Sequence, residues 1–251
     1  MRNNAFEQHG IDHLSPSFLN SWVASPWQAV AKLAGLKPIF GPAASRGNAA
    51  EQGLMVALKN KSLSQGIQAA EEYFNEDFGT AIAGHKERAS LGKYIENALP
   101  LYKELGLPDH YQKKIVYDHP DLPIPFVGYI DFLYEKNRKE IRDLKTQGRN
   151  MVSRGPLVAN CRQLSIYAFQ YPEFDLWLDY VTPKELISHK VQNIKQHQDT
   201  VVKIAFGLEK FLSLSSDTQE LASILTPDVD DWRFNDGIRK QTGSIWPDIF
   251  I

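Results

Sequence analysis

Along the first 105 residues apolar positions recur at helical spacing, and from Tyr111 the period changes to that of short strands. The stretch "HLSPSFLNSWVASPWQAVAKLAGL" opens with Ser15 as an N-cap and Pro16 at the first helical position. Pro26 divides it into two short helices, the second ending near Gly35. A loop rich in Gly, Pro and Ala, "GLKPIFGPAASRGN", leads to a helix expected from about Asn48 to Lys59, and further helical patterns cover roughly 65–78 and 86–105. "YQKKIVYD", "IPFVGYIDFLYE" and "KEIRDLKTQ" are short runs with β-branched and aromatic residues separated by turns, which predicts three successive strands in a meander. "GPLVANCRQLSIYAFQY" returns to helical spacing, and "FDLWLDYVT" reads as a further strand. The remainder, beginning "ELISHKVQNIKQHQ", is expected to form a long amphipathic helix, then a short one, then an aromatic-rich tail ending "SIWPDIFI".

The order helix, three strands, helix, strand is that of an α/β core. A chain of 251 residues can bury one sizeable core, so residues 1–182 are expected to form it and 183–251 a helical extension packed on it. Composition is that of an ordinary water-soluble protein. No leader-like start and no apolar run of about 18 residues is present, so neither secretion nor membrane insertion is indicated and the cytoplasm is the default. The single cysteine, Cys161, excludes an internal disulfide framework and any cluster built on several cysteines of one chain. A net charge of −2 makes no global case for nucleic acid. Locally the picture differs: Lys136, Arg138, Lys139, Arg142, Lys145, Arg149, Arg154 and Arg162 face only Glu140 and Asp143. That run is either a phosphate-binding face or a solvated hairpin and loop.

The chemistry lies in "GYIDFLYEKNRKEIRDLKTQGR". Side chains alternate along a strand, so Asp143 and Lys145 share one side while Arg142 and Leu144 take the other. A hairpin turning near Asn137 and Arg138 sets Asp131 beside Asp143. Two carboxylates at the end of a sheet suit Mg²⁺ or Mn²⁺, and a neighbouring lysine can orient or deprotonate a metal-bound water and offset charge on a phosphate. The alternative is an edge hairpin whose acids pair with its own Lys and Arg. None of His13, His85, His110, His119 and His189 has metal-ligand spacing, which leaves them structural or surface roles.

"GYID" followed by "DLK", with "RGNAAEQGL" and "LSPSFLNSWVASPWQ" upstream and "QLSIY" downstream, resembles the PD-(D/E)xK nuclease superfamily in its RecB-like and lambda-exonuclease-like branches. The likeness spans roughly residues 11–182 and implies a restriction-endonuclease-like αβββαβ core around a central mixed sheet. It also implies a metal-dependent DNA nuclease in which Glu51, Asp131, Asp143 and the carbonyl of Leu144 hold Mg²⁺ or Mn²⁺, and Lys145 positions or activates the attacking water. Gln163 and Tyr167, the Gln-x-x-x-Tyr of the family, would hold the strand being cut, with Lys113, Arg149 and Arg162 as phosphate contacts. Ser25 stands where many relatives carry the Cys of a Cys-Pro pair, so no iron–sulfur cluster is expected. Glu51 stands where RecB-type members often carry His. The implied setting is recombination or repair in a bacterial or phage-infected cell, acting on DNA, as a homo-oligomer or beside a recombination partner protein. An exonuclease is the reading preferred, with an endonuclease of junction-resolvase or restriction type and a degenerate nucleic-acid-binding protein left open.

Overall fold

The computed structural model describes residues 4–36, 41–78, 84–230, 234 and 236–247, so residues 37–40 of the Gly- and Pro-rich loop and 248–251 of the aromatic tail lie outside it. The central runs form β1 (His110–Tyr117), β2 (Phe126–Tyr134) and β3 (Glu140–Thr146), an antiparallel meander. β4 (Asp175–Val181) joins parallel to β3, and the crossover this requires is α7 (Val158–Gln170). β5 (Leu186–Lys190) pairs antiparallel with β4, giving a mixed sheet in the order β1-β2-β3-β4-β5. The expected αβββαβ core is therefore present.

β5 differs from expectation. Ile187, Val191 and Ile194 fall at helical spacing, yet 186–190 is an edge strand. The Thr182 hydroxyl accepts from the amides of Lys184 and Glu185, both at 3.1 Å, and so closes a tight turn out of β4. The amphipathic helix starts only at α8 (Ile194–Leu212), after Asn193 at φ 54°.

Helices cover both faces of the sheet. On one lie α1 (Ala5–Gln8), α2 (Pro16–Ala24), α3 (Trp27–Leu33), α7, α8 and α9 (Thr218–Ser223), enclosing Ile130, Leu133, Ile141, Leu176, Leu178 and Tyr180. On the other, α4 (Pro42–Asn60), α5 (Leu63–Asp77) and α6 (His85–Leu105) enclose Phe132, Tyr134, Leu144 and Val181. A final short helix, α10 (Asp236–Thr242), follows. Ser15 caps α2 as its position predicts, its hydroxyl accepting from the Phe18 amide at 3.2 Å. Among the described residues no helix is long and apolar enough to cross a membrane.

α4 begins at Pro42 rather than near Asn48. Its buried Arg46 donates to the Thr146 hydroxyl (3.2 Å) and carbonyl (3.3 Å), pairs with Glu87 and lies over the Tyr94 ring, which ties the start of α4 to the end of β3. Farther along, α4 crosses α5 at two glycines. A methyl group on Gly53 would sit 2.6 Å from the Gly66 carbonyl oxygen, so only glycine permits this approach. Both anchors fix the rotation of α4, and with it the direction of Glu51.

Candidate functional site

β3 alternates regularly, whereas β1 and β2 do not. Tyr111 and its cross-strand partner Phe132 pack into the α4–α6 core, while Ile115 and Ile130, of the same parity, pack into the core on the other face. The change of face falls at Gln112, which stands opposite Asp131 and adopts φ 51°, a left-handed conformation rare for a residue with a side chain. The β2–β3 ladder also stops here. It runs from Tyr134↔Glu140 to Phe132↔Arg142, and beyond that step the Leu144 amide donates to Asp131 Oδ2 at 3.1 Å.

The gap beside β2 is filled by Tyr167. A Cβ on Gly128 would lie 2.7 Å from Tyr167 Cε1, which gives the glycine of "GYID" a packing reason. Gly128→Ala should displace the ring and cost about 1–3 kcal/mol. The check is a double-mutant cycle in urea: in a Tyr167→Ala background that cost should vanish, and an unchanged cost would mean that the ring is not what the glycine accommodates.

Around this break five elements, α4, β1, β2, β3 and α7, bring polar groups together. Asp143 on β3 is fully buried; its Oδ1 accepts from the Gln163 amide of α7 at 2.9 Å, and Gln163 also donates to the Tyr167 hydroxyl at 3.1 Å. Asp143 Oδ2 lies 2.6 Å from the Lys145 ammonium in an ion pair. Gln112 Nε2 donates both to Glu51 Oε1 (2.5 Å) and to Asp131 Oδ1 (3.2 Å). Burial, reinforced by Asp143 and Glu51, pushes the Asp131 carboxyl well up. Burial raises Asp143 too, with Lys145 opposing. Glu51 is pushed up to about 6, chiefly by burial, against the Gln112 hydrogen bond. Burial alone would lower Lys145, but Asp143, Asp131 and Glu51 outweigh it and hold the ammonium above its usual range. Its acidic neighbours thus favour the charged form of Lys145.

The raised Glu51 has a stability consequence. A carboxyl near 6 in the folded chain and near 4.5 unfolded binds its proton more tightly when folded, so stability is highest below about pH 4.5 and falls as pH rises through 6. The loss attributable to Glu51 is about 2 kcal/mol. Urea midpoints in EDTA should show Glu51→Gln matching the wild type near pH 4.5 and exceeding it at pH 8; equal midpoints at pH 8 would remove the strain assigned to this side chain.

Glu51, Asp131, Asp143, Lys145, Gln163 and Tyr167 thus meet at one place. Leu144 contributes its N–H to Asp131. The basic residues fare differently. Arg149 and Arg154 are exposed on the loop after β3, Arg162 is half-buried with its Nε donating to Asn20 Oδ1 at 3.1 Å, and Lys113 is half-buried on β1 opposite Ile130. Arg142 must be taken out of the basic run. It is buried on the opposite face from Asp143, its Nη1 on both oxygens of Asp179 (3.0 and 3.1 Å) and its Nε on Glu140 (3.0 Å). Gln112 is the residue that strand periodicity missed, since an exposed Gln in "YQKK" carries no local signal.

The donor chemistry fits a hard divalent cation: three buried carboxylates balanced by one lysine. As the side chains lie, however, no group of three or more His, Cys, Asp or Glu among the described residues encloses an ion position. A pocket of about 370 Å³, lined by Asn48, Glu51, Gln52, Tyr73, Tyr111 and Gln112, opens on Glu51.

No protein-family model matches the chain, and no curated protein matches its sequence. A solved structure of very different sequence shares the fold. The "Putative exonuclease" of Eubacterium rectale superposes with a TM-score of 0.60 over 96% of this chain and 92% of that one, at 13% identity. The protein SSO0001 aligns at a TM-score of 0.40 and 13% identity over 88% of each chain, too loosely to bear on the fold. The mixed sheet flanked by helices is thus an architecture also built by a very different sequence.

Proposed function

We propose that this protein is a metal-dependent DNA nuclease of the PD-(D/E)xK type, close to its RecB-like and lambda-exonuclease-like branches, and an exonuclease serving recombination or repair. The observation that supports it best is the meeting of Asp131, Asp143 and Lys145 on adjacent strands with Gln163 of α7 bonded to Asp143 and Glu51 of α4 held beside Asp131. Asp131, Asp143 and Glu51, with the Leu144 carbonyl, would hold Mg²⁺ or Mn²⁺. When bound, the cation supplies Lewis acidity to an attacking water and to a phosphate oxygen. Lys145, kept cationic by its acidic neighbours, orients that water and offsets charge building on the phosphate. Gln163 fixes the Asp143 carboxylate and would border the path of the strand being cut, with the buried Tyr167 accepting from its amide. Arg149 and Arg154 on the adjoining loop, with Arg162 and Lys113, would meet phosphates along that strand.

The test compares linear with covalently closed circular DNA in Mg²⁺. An exonuclease degrades the linear form and spares the circle. Cleavage of both would establish an endonuclease of the same fold, and cleavage of neither, with binding retained, would reduce the protein to a nucleic-acid-binding module.

A further inference from the structure

Gln112 is the least expected member of the acidic site. It lies on β1, outside the two strands that carry the acids and the lysine, and its backbone takes a left-handed conformation in mid-strand where an extended one would cost nothing. That turn, at the point where β1 and β2 change faces, aims the side chain at Glu51 and Asp131. A single amide nitrogen therefore sits between two buried carboxylates that arrive from separate elements, α4 and β2. Between two carboxylates is also where a bridging cation binds. The half-turn of a Gln amide about its last bond exchanges nitrogen for oxygen with almost no change in shape. Gln112 is itself exposed toward the pocket beside Glu51, so the amide has room to turn.

We infer that Gln112 is a metal-site residue, a strand-borne amide that holds Glu51 and Asp131 together through its nitrogen and presents its carbonyl oxygen to a divalent cation bound by the same acids. The inference rests on the metal-dependent reading above. Amide carbonyls are ordinary ligands of hard cations, and a neutral oxygen adds a donor without adding to the repulsion among three acids. It also accounts for why the carboxylates do not enclose an ion position as they lie: Glu51 and Asp131 are spaced by a side chain that can serve either as donor to them or as acceptor toward an ion.

The experiment is calorimetric Mn²⁺ titration of the full chain in the wild type, Gln112→Ala, Gln112→Glu and Asp131→Asn. Gln112→Ala should bind Mn²⁺ about tenfold more weakly, the scale typical of lost support at a metal site. Gln112→Glu discriminates between roles. A fourth acid cannot donate to Glu51 and Asp131, so a merely structural strut would not be rescued, whereas an oxygen ligand would be, and Mn²⁺ affinity should equal or exceed that of the wild type. Wild-type affinity in Gln112→Ala, or weakened affinity in Gln112→Glu, overturns the proposal. Asp131→Asn separates the levels: if it too binds Mn²⁺ normally, the metal reading of the whole site fails, whereas loss of binding there with normal Gln112→Ala affinity sinks only the role of Gln112. Should Gln112→Ala not fold, the wild-type side-chain NH₂ resonances of Gln112 must shift on adding Mg²⁺, and unmoved resonances overturn the proposal equally.

Discussion

Lys145→Ala should bind Mn²⁺ and DNA about as well as the wild type and cleave linear DNA roughly 10²- to 10³-fold more slowly, the usual cost of removing one preorganised charge at a reacting centre. The carboxylates survive the substitution, because Asp131 keeps the Leu144 amide and Asp143 keeps Gln163. What disappears is the ammonium 2.6 Å from Asp143 Oδ2, which its neighbours hold in the charged form. Replacing Mg²⁺ by Ca²⁺ should act on the wild type in the same direction, since the larger ion is a poorer Lewis acid, with DNA still bound. Asp131→Ala should lose the metal-dependent part of DNA binding as well. Fluorescence binding titrations run beside cleavage assays read both quantities, and a fully active Lys145→Ala enzyme would return "RDLKT" to the status of an ordinary strand end.

The largest effect on folding is expected one residue from the site, on the other face of the sheet. Asp179 is fully buried and accepts from Arg142, Ser188 and the Tyr102 hydroxyl, while Arg142 also lies 4.8 Å from the centre of the Trp177 ring. Asp179→Ala leaves that guanidinium enclosed with only Glu140 to balance it, and should destabilise the fold by about 3–5 kcal/mol. Replacing both partners, Arg142→Leu with Asp179→Leu, should recover most of the loss, because the desolvation cost goes with the charges. Urea midpoints of the wild type and the two variants check this; a double variant as unstable as Asp179→Ala would place the cost in packing instead.

Much of the framework was legible because each local signal agreed with the fold. Ser15 and Pro16 start a helix, Pro26 breaks it, and the three β-rich runs pair in succession. β5 was not legible: its residues are all partly exposed at a sheet edge, and pairing with β4 overrides a helix-like spacing. The site divides in the same way. That Asp143 and Lys145 share a side follows from strand alternation, whereas Gln163 and Tyr167 were implied by the family resemblance alone. Arg142 could be assigned to the opposite face, but its partner Asp179 lies on a strand 37 positions away and was out of reach of local reading. Gln112 depends on a backbone turn at a strand crossing, which periodicity cannot express.

The groups that flank the strand-borne acids reach the site from two separate hydrophobic layers. Glu51 rides on α4 in the layer formed with α5 and α6, whereas Gln163 and Tyr167 belong to α7 in the layer beneath the opposite face. A chain in which only one layer has formed cannot bring these groups together. Recovery of catalysis during refolding should therefore lag behind recovery of helix content and of the strand meander, and a half-made molecule released near DNA would be harmless to it.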